Sequence, residues 1–420
     1  MLYQIWITPC RTSAGKANPA RCHVLQRATP VSNYNTSNGE KRSLGKDIRN
    51  RRPDGSTSRD RDAAIAQRFY LLSLARELLP RERVSICFKY RAPHRATVDV
   101  YYDKTKNSAS ITGVMRCTSV WNCPVCSASI SMHRRDELQQ ALQVPAIEAY
   151  MVTYTVSHGI RIPFRKTLET ISDAYRFVHS GRAYKSLKSR YDIIGSVRSL
   201  EVTYGENGWH PHFHELCFTH KAPTLPDMID IKNALQERWI RRVNKHGFSA
   251  SKTRAVQITS ERQTTHEYVA KFGLDEPDRE WTAADEITRA TTKNTKNKTG
   301  RTPFRLLEDY GAGDAKSGML FREYAGAMKG KRQLYWSAGL RDALHLNEPV
   351  SDGETVEHES DGMELLIMLS PDDWRAVARH NKQAEVMMLA RRGDASAIRE
   401  LCNILKNGDR RKGNGTNEMP

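Results

Sequence analysis

Asn207-Gly208, inside the run EVTYGENGWHPHFHELCF from Glu201 to Phe218, restricts the fold more than any other stretch of this chain. A two-residue type I′ turn needs positive φ at both central positions, and Asn-Gly tolerates it. The flanking runs are therefore expected to pair as antiparallel strands. With Asn207 and Gly208 as the turn, Glu206 faces Trp209, Thr203 faces His212 and Glu201 faces His214. Alternate residues of a strand share a face, so Glu201, His212 and His214 project from one side of the hairpin. Two imidazoles and a carboxylate converging there form a three-ligand cation site with positions left open for a substrate, a catalytic arrangement rather than a closed structural one.

The neighbouring segments supply the rest of a sheet. Ala149–Val156 alternates as a strand, and Leu168, Ile171, Tyr175 and Val178 fall at helical spacing in a helix continuing to about Leu187. Strands follow over Ile193–Tyr204 and Trp209–Phe218. A helix over Met228–Val243 buries Ile231, Leu235 and Trp239, and a last strand covers Arg254–Thr259. The order β-α-β-β-α-β predicts an α+β fold, a ferredoxin-like (split β-α-β) antiparallel sheet with helices on one side and the other face free for a single strand of nucleic acid. Pro211 cannot donate to a ladder, so it must fall at an unpaired position or in a bulge. Beyond the sheet, Thr264 and Glu267 form a capping box and Gly273 a helix terminator. That helix puts Tyr268 in its second turn with Lys271 on the same face; the ordinary reading of such a tyrosine is a core aromatic.

Upstream, Cys117, Cys123 and Cys126 are spaced C-x5-C-x2-C with Pro124 inside the second pair. Such a knuckle grips one tetrahedral ion, which suits structural zinc. Cys87 is the expected fourth ligand, and His133, in a helix over Ser127–Leu142, is the alternative. Three buried free thiols are the plainer reading. A helix over Ala63–Leu79 ends at Pro80, and short strand-like pieces run from Val84–Cys87 to Ser110–Gly113.

The net charge of +18 over 420 residues and a pI near 9.6 point to a polyanionic partner, with nucleic acid foremost. No apolar run approaches the length of a spanning helix, and MLYQIWITPC lacks a basic leader and a cleavage site. Eight cysteines, three of them clustered, favour a reducing, cytoplasmic setting over a disulfide framework. The expected organisation is a disordered basic tail over 1–60, a zinc-binding segment and helix over 61–145, and the sheet domain over 146–275. A basic linker over 276–300 follows, then a helical segment over 301–345, and linker and short helices near Leu365 and over Ala384–Leu405 within 346–420. The stretch Asp352–Asp361 reads as an acidic linker. Lys296, Lys298 and Arg301 are candidate DNA contacts.

HPHFH at 210–214, a strand with Glu201 before it, and EYVAK at 267–271 together resemble the HUH endonuclease superfamily. Within that superfamily the chain resembles the rolling-circle replication initiators of bacterial plasmids. CPVC at 123–126, the block EVTYGENGWHPHFH and GKRQLYWSAGL at 330–340 extend the likeness over roughly Cys87–Leu340. The resemblance implies an HUH endonuclease domain in which His212 and His214 hold Mg²⁺ or Mn²⁺ and Tyr268 attacks DNA, aided by Lys271. The third ligand is Glu201 or His210. Some relatives carry a glutamate one turn before the tyrosine to activate water; here that position is Thr264, Glu267 fits the capping box, and Glu261 is too distant to assign. It implies plasmid origin DNA as substrate, a host helicase and DNA polymerase as partners, and no membrane. A single-strand transposase or mobilisation relaxase shares the same residues, and a non-catalytic zinc-containing DNA-binding regulator is the reading from another class.

Overall fold

Where the chain reverses at the hairpin decides what faces what in the sheet built around it. In the computed structural model, which describes residues 58–260 and 300–414, β4 (Ile193–Gly205) and β5 (Gly208–Thr219) are its long central pair. β3 (Glu148–Tyr154) lies beside β5, β6 (Val256–Ser260) beside β3, and the short β7 (Gly300–Arg301) and β8 (Leu334–Trp336) pair with β4. Every pairing is antiparallel. A smaller antiparallel sheet has the order β2-β1-β9, from β1 (Val98–Asp103), β2 (Ser108–Thr112) and β9 (Glu364–Leu369).

The turn itself sits one residue earlier than expected. Gly205 pairs with Gly208, leaving Glu206-Asn207 as the loop. Gly208 has φ +86°, whereas Asn207 is not among the residues with positive φ. A type I turn closed by a left-handed glycine needs only one such residue. A side chain at Gly208 would also meet the Ile160 backbone at 3.0 Å. The register therefore moves by two: Glu201 faces His212 and Thr203 faces His210, in place of the expected partners His214 and His212. An even shift preserves the faces, so Glu201, His212 and His214 still share one. Pro211 faces Val202. Counting from the closing pair, this is a non-hydrogen-bonded position, and β3 has already ended opposite Phe213, so the missing N–H breaks no ladder bond.

One face of the sheet carries Tyr150, Tyr154, Phe213, Glu215 and Cys217, and α3 (Phe164–Val178) and α5 (Leu225–Lys245) cover it. Tyr154 packs on Tyr175 and Trp239, with ring centroids 5.7 and 5.0 Å apart. The expected single helix to Leu187 is instead two, α3 and α4 (Gly181–Arg190), broken where Gly181 takes φ +78°. The opposite face is not wholly free. Val197, Leu216 and Phe218 are covered by Leu138 and Ala141 of α2 (Pro124–Leu142) and by Leu334, Leu340 and Leu344. Apolar residues at that end need a lid, while the hairpin-tip end carries the histidines and threonines. Val84–Ile86, expected as strand, lies in a 3₁₀ turn. The residues around Leu365, expected as helix, form β9, which pairs with β1. The acidic stretch at Asp352 opens as a helix because Ser351 and Glu354 cap it reciprocally. Among the described residues no helix is long and apolar enough to cross a membrane.

Glu215 is fully buried under α3 and accepts from the hydroxyls of Tyr154 (3.0 Å) and Tyr175 (2.7 Å), with His179 Nε2 at 2.9 Å. Burial alone would raise its pKa; the His179 charge and these hydrogen bonds outweigh that and hold it down at about 2. A carboxyl near 4.3 when unfolded and near 2 when folded stabilises the protein above about pH 4, and the contribution is lost as pH falls towards 2. Tyr175→Phe should cost about 2 kcal/mol at neutral pH, with the penalty shrinking between about pH 4 and 2. Denaturant titrations at several pH values would measure this, and a pH-independent penalty would rule out the carboxylate as the partner that matters.

Candidate metal centres

Among the described residues two groups of side chains could hold a metal ion: Glu201, His212 and His214, and, within the main hydrophobic core, Cys87, Cys117, Cys123 and Cys126. The first is a product of the β4–β5 ladder. Glu201 Oε2 lies 3.2 Å from His212 Nε2 and 3.1 Å from His214 Nε2, so one carboxylate oxygen and two ring nitrogens surround a single point. Glu201 and His214 are each 4% exposed. A buried carboxylate between two imidazoles is a donor set that a divalent cation fits, with coordination positions left for water or substrate.

His214 is aimed from behind. Its Nδ1 lies 3.1 Å from Thr153 Oγ1 on β3, which orients the ring so that Nε2 faces Glu201. His212 Nδ1 is buried without a hydrogen-bond partner. Thr153 was not visible as a site residue in the sequence, because its place opposite His214 depends on pairing across 61 residues. His210 is not within the cation group; its Nδ1 lies 2.6 Å from His158 Nε2. Burial, followed by the neighbouring His212, pushes the His210 pKa down to about 3. The geometry thus groups Glu201 rather than His210 with the two histidines.

The cysteine cluster joins three pieces of chain. Cys87 closes the 3₁₀ turn Arg83–Ile86, Cys117 lies in the loop after β2, and Cys123 caps the N-terminus of α2, one turn before Cys126. Pro124 opens that helix at a position where a missing N–H costs nothing. The sulfur separations are 3.7 Å for Cys87–Cys123, 3.6 Å for Cys87–Cys126 and 3.7 Å for Cys117–Cys126. These are far too long for disulfides. They match the edges of a tetrahedron whose centre lies about 2.3 Å from each sulfur, the distance of a metal–thiolate bond. His133, the alternative fourth ligand, lies outside the group and approaches Glu137 instead, at 3.8 Å.

Burial and mutual hydrogen bonds split the ionisation of the clustered thiols. Hydrogen bonds from Cys117, Cys123 and Cys87 draw the Cys126 thiol well below its ordinary pKa, whereas burial pushes Cys123 well above. Crowded thiols alone therefore share little negative charge; a dication would let all four ionise. Two buried guanidiniums attend the cluster. Arg76 donates to the Cys87 carbonyl. Arg116 pairs with Glu359 at 3.1 Å and lies over the Phe88 ring at 4.4 Å.

The other candidate residues are placed differently. Arg301 Nη1 is engaged by Ser317 Oγ at 2.9 Å and Asp309 at 3.2 Å, and its guanidinium lies over Tyr204. Tyr268, Lys271, Lys296 and Lys298, along with Glu261, Thr264 and Glu267, lie outside the described residues.

Residues 110–380 match the Rep_1 family model, described as replication protein. The matched range takes in Glu201, His212, His214 and three of the four cysteines, leaving Cys87 outside. A curated protein of Streptomyces lividans named Protein rep is 25% identical over 364 residues, covering 68% of this chain and 77% of its own length. A Neomycin resistance protein of Streptomyces cyanogenus is 28% identical over 147 residues, covering 28% of this chain and 33% of that one. No solved structure matches.

Two separate metal sites make a divided prediction. Elemental analysis of Cys123→Ala should show loss of one tightly held metal and a fall in folding stability of more than about 3 kcal/mol. His212→Ala should retain that metal while losing binding of a second, exchangeable divalent ion. If both variants lose the same single metal, the two-site arrangement is wrong.

Proposed function

This chain belongs to the Rep_1 family of replication proteins, and from that premise we propose that it is a plasmid replication initiator that nicks one strand of its origin DNA. The observation that carries the reading is the convergence of Glu201 Oε2, His212 Nε2 and His214 Nε2 on one point of a β-α-β-β-α-β sheet. Its strand order, last-first-third-second with every neighbour antiparallel, supports the ferredoxin-like HUH assignment.

In this reading Glu201, His212 and His214 hold Mg²⁺ or Mn²⁺, and Thr153 keeps His214 facing the ion. The bound dication would supply positive charge beside the non-bridging oxygens of the scissile phosphate. Tyr268 is the nucleophile, and an unperturbed tyrosine hydroxyl near pKa 10 is a weak one at neutral pH. Lys271, one helical turn on, favours the phenolate. The Tyr268 oxygen forms a bond to phosphorus as the bond to the 3′ oxygen breaks; that oxygen takes up a proton. The products are a 5′-phosphotyrosine and a free 3′-OH for a host DNA polymerase, with a host helicase opening the duplex. The four cysteines hold zinc in a structural role, fixing α2 against the rest of the core. Lys296 and Lys298 add phosphate contacts with salt-dependent affinity. The setting is cytoplasmic.

Purified protein with Mn²⁺ should nick a supercoiled plasmid carrying its origin and remain attached to the new 5′ end. Tyr268→Phe should abolish nicking and attachment by at least about a thousandfold while leaving origin binding within about twofold. An adduct mapped by peptide sequencing to another residue would sink the assignment of Tyr268. An active enzyme with no adduct would sink covalent catalysis itself.

A further inference from the structure

Beyond the metal-ligating group, the same sheet face continues to the hairpin tip and ends in a cavity of about 350 Å³, lined by His158, Thr203, Glu206, Asn207, His210 and Gly300 among others. We propose that this cavity reads the base of a nucleotide adjoining the scissile phosphate, selecting a base with an exocyclic amino group. The inference rests on the nicking reading above and adds the feature of the substrate that the site distinguishes.

Position comes first. Thr203 and His210 face each other across the ladder exactly as far along it as one further pair of same-face residues from Glu201 and His212. That is about 7 Å along the strands, a nucleotide's reach from the cation group. The two places are joined by imidazoles in contact: ring centroids are 4.6 Å apart for His158–His210, 5.1 Å for His210–His212 and 4.7 Å for His212–His214. A strand of DNA whose phosphate lies at Glu201, His212 and His214 therefore has flat rings beside its neighbouring base, and stacking on such rings is a common way to hold an unpaired base.

Hydrogen bonding then selects the kind of base. The Asn207 carbonyl lies 2.9 Å from His158 Nδ1, and a carbonyl only accepts, so that nitrogen carries the hydrogen. In the neutral ring His158 Nε2 is an acceptor, and at 2.6 Å it takes the hydrogen of His210 Nδ1. His210 Nε2 is left with a lone pair. Glu206 adds a carboxylate and Thr203 a hydroxyl, and neither side chain makes a hydrogen bond among the described residues. Among the described residues no lysine or arginine lines the cavity, and a phosphate there would meet Glu206. A neutral base offering N–H donors matches a lining rich in acceptors. Adenine, cytosine and guanine carry an exocyclic amino group with two N–H donors; thymine has a single N3–H flanked by two carbonyls, which would face the acceptors of the lining.

The test uses full-length protein, Mn²⁺ and single-stranded oligonucleotides carrying the origin nick site with the nucleotides on both sides of it randomised. Sequencing of the strands that become covalently attached should show thymine depleted about tenfold at one flanking position. Glu206→Gln and His158→Ala should each flatten that depletion to within about twofold while preferences at other positions persist. Glu206 is exposed at the turn, so its variant tests the pocket without threatening the fold. Attachment with no depletion, or depletion unchanged in both variants, overturns the proposal and leaves the nicking reading intact. A second measurement does not depend on cleavage. With Mn²⁺ omitted, oligonucleotides of the origin strand with 5-iododeoxycytidine placed at each position in turn should photocrosslink from one position to the peptide carrying His158 or to that carrying Thr203–His210. Crosslinks confined to other peptides overturn the pocket; failure of wild-type protein to form any adduct, with this crosslink present, overturns the nicking reading alone.

Discussion

The pairing of Glu201 with His212 across β4 and β5 is the interaction on which the functional half of the molecule depends. Three donor atoms from residues far from ideal for a strand are held within 4.8 Å of one another by backbone pairing. A carboxylate and two imidazoles buried together are costly unless something compensates their lone pairs and charge. Partial compensation comes from Thr153 behind His214, and a bound cation would supply the rest. The same ladder places Thr203 and His210 one step further toward the turn, so the cavity at the tip and the cation group are consequences of one register.

The ladder is held from both sides by different means. On the helical side, Glu215, the residue after His214, is clamped by Tyr154, Tyr175 and His179, and the Arg198 guanidinium, its cross-strand neighbour, lies over the rings of Phe213, Tyr175 and Tyr335. A buried network of this kind resists sliding, because any shift separates the Glu215 carboxylate from its partners. At the tip, Trp209 stacks on Phe164 with centroids 4.6 Å apart and donates to Glu323 at 2.9 Å. On the other face α2 does two jobs along its length: its first turn carries Cys123 and Cys126, and its last turns put Leu138 and Ala141 over Val197, Leu216 and Phe218. An ion gripped at the cysteines therefore fixes the start of a helix whose end covers the sheet.

The smaller sheet ties the ends of this arrangement together. β9 comes from the C-terminal part of the chain and pairs with β1, upstream of the cysteine knuckle, and Glu359 reaches Arg116 beside the sulfurs. Gln383 donates to the Phe88 carbonyl, next to Cys87. The C-terminal helices are thus packed against the segment that supplies the cysteine cluster instead of forming an appendage to it.

Local chemistry in the chain was enough to determine the strands on either side of the hairpin, the parity that puts Glu201, His212 and His214 on one face and the helix after Cys123; Cys87 was the expected fourth member of the cysteine group with His133 as the alternative, and the tertiary structure groups Cys87. These follow from turn residues, alternation and thiolate spacing, which act over a few residues or through a strong ligand requirement. The tertiary structure alone decided the rest. It moved the turn to Glu206-Asn207, since only Gly208 had to accept positive φ. It made Leu365 a strand residue because β1 was there to pair with it. It brought Thr153 to His214 and His158 to His210, contacts across 61 and 52 residues that no periodicity records. It also engaged Arg301 with Asp309 and Ser317, where its charge in the sequence had suggested only phosphate. Short-range rules set which side of a strand a residue faces; which atoms it meets there is settled by the pairing and packing of segments distant in the chain.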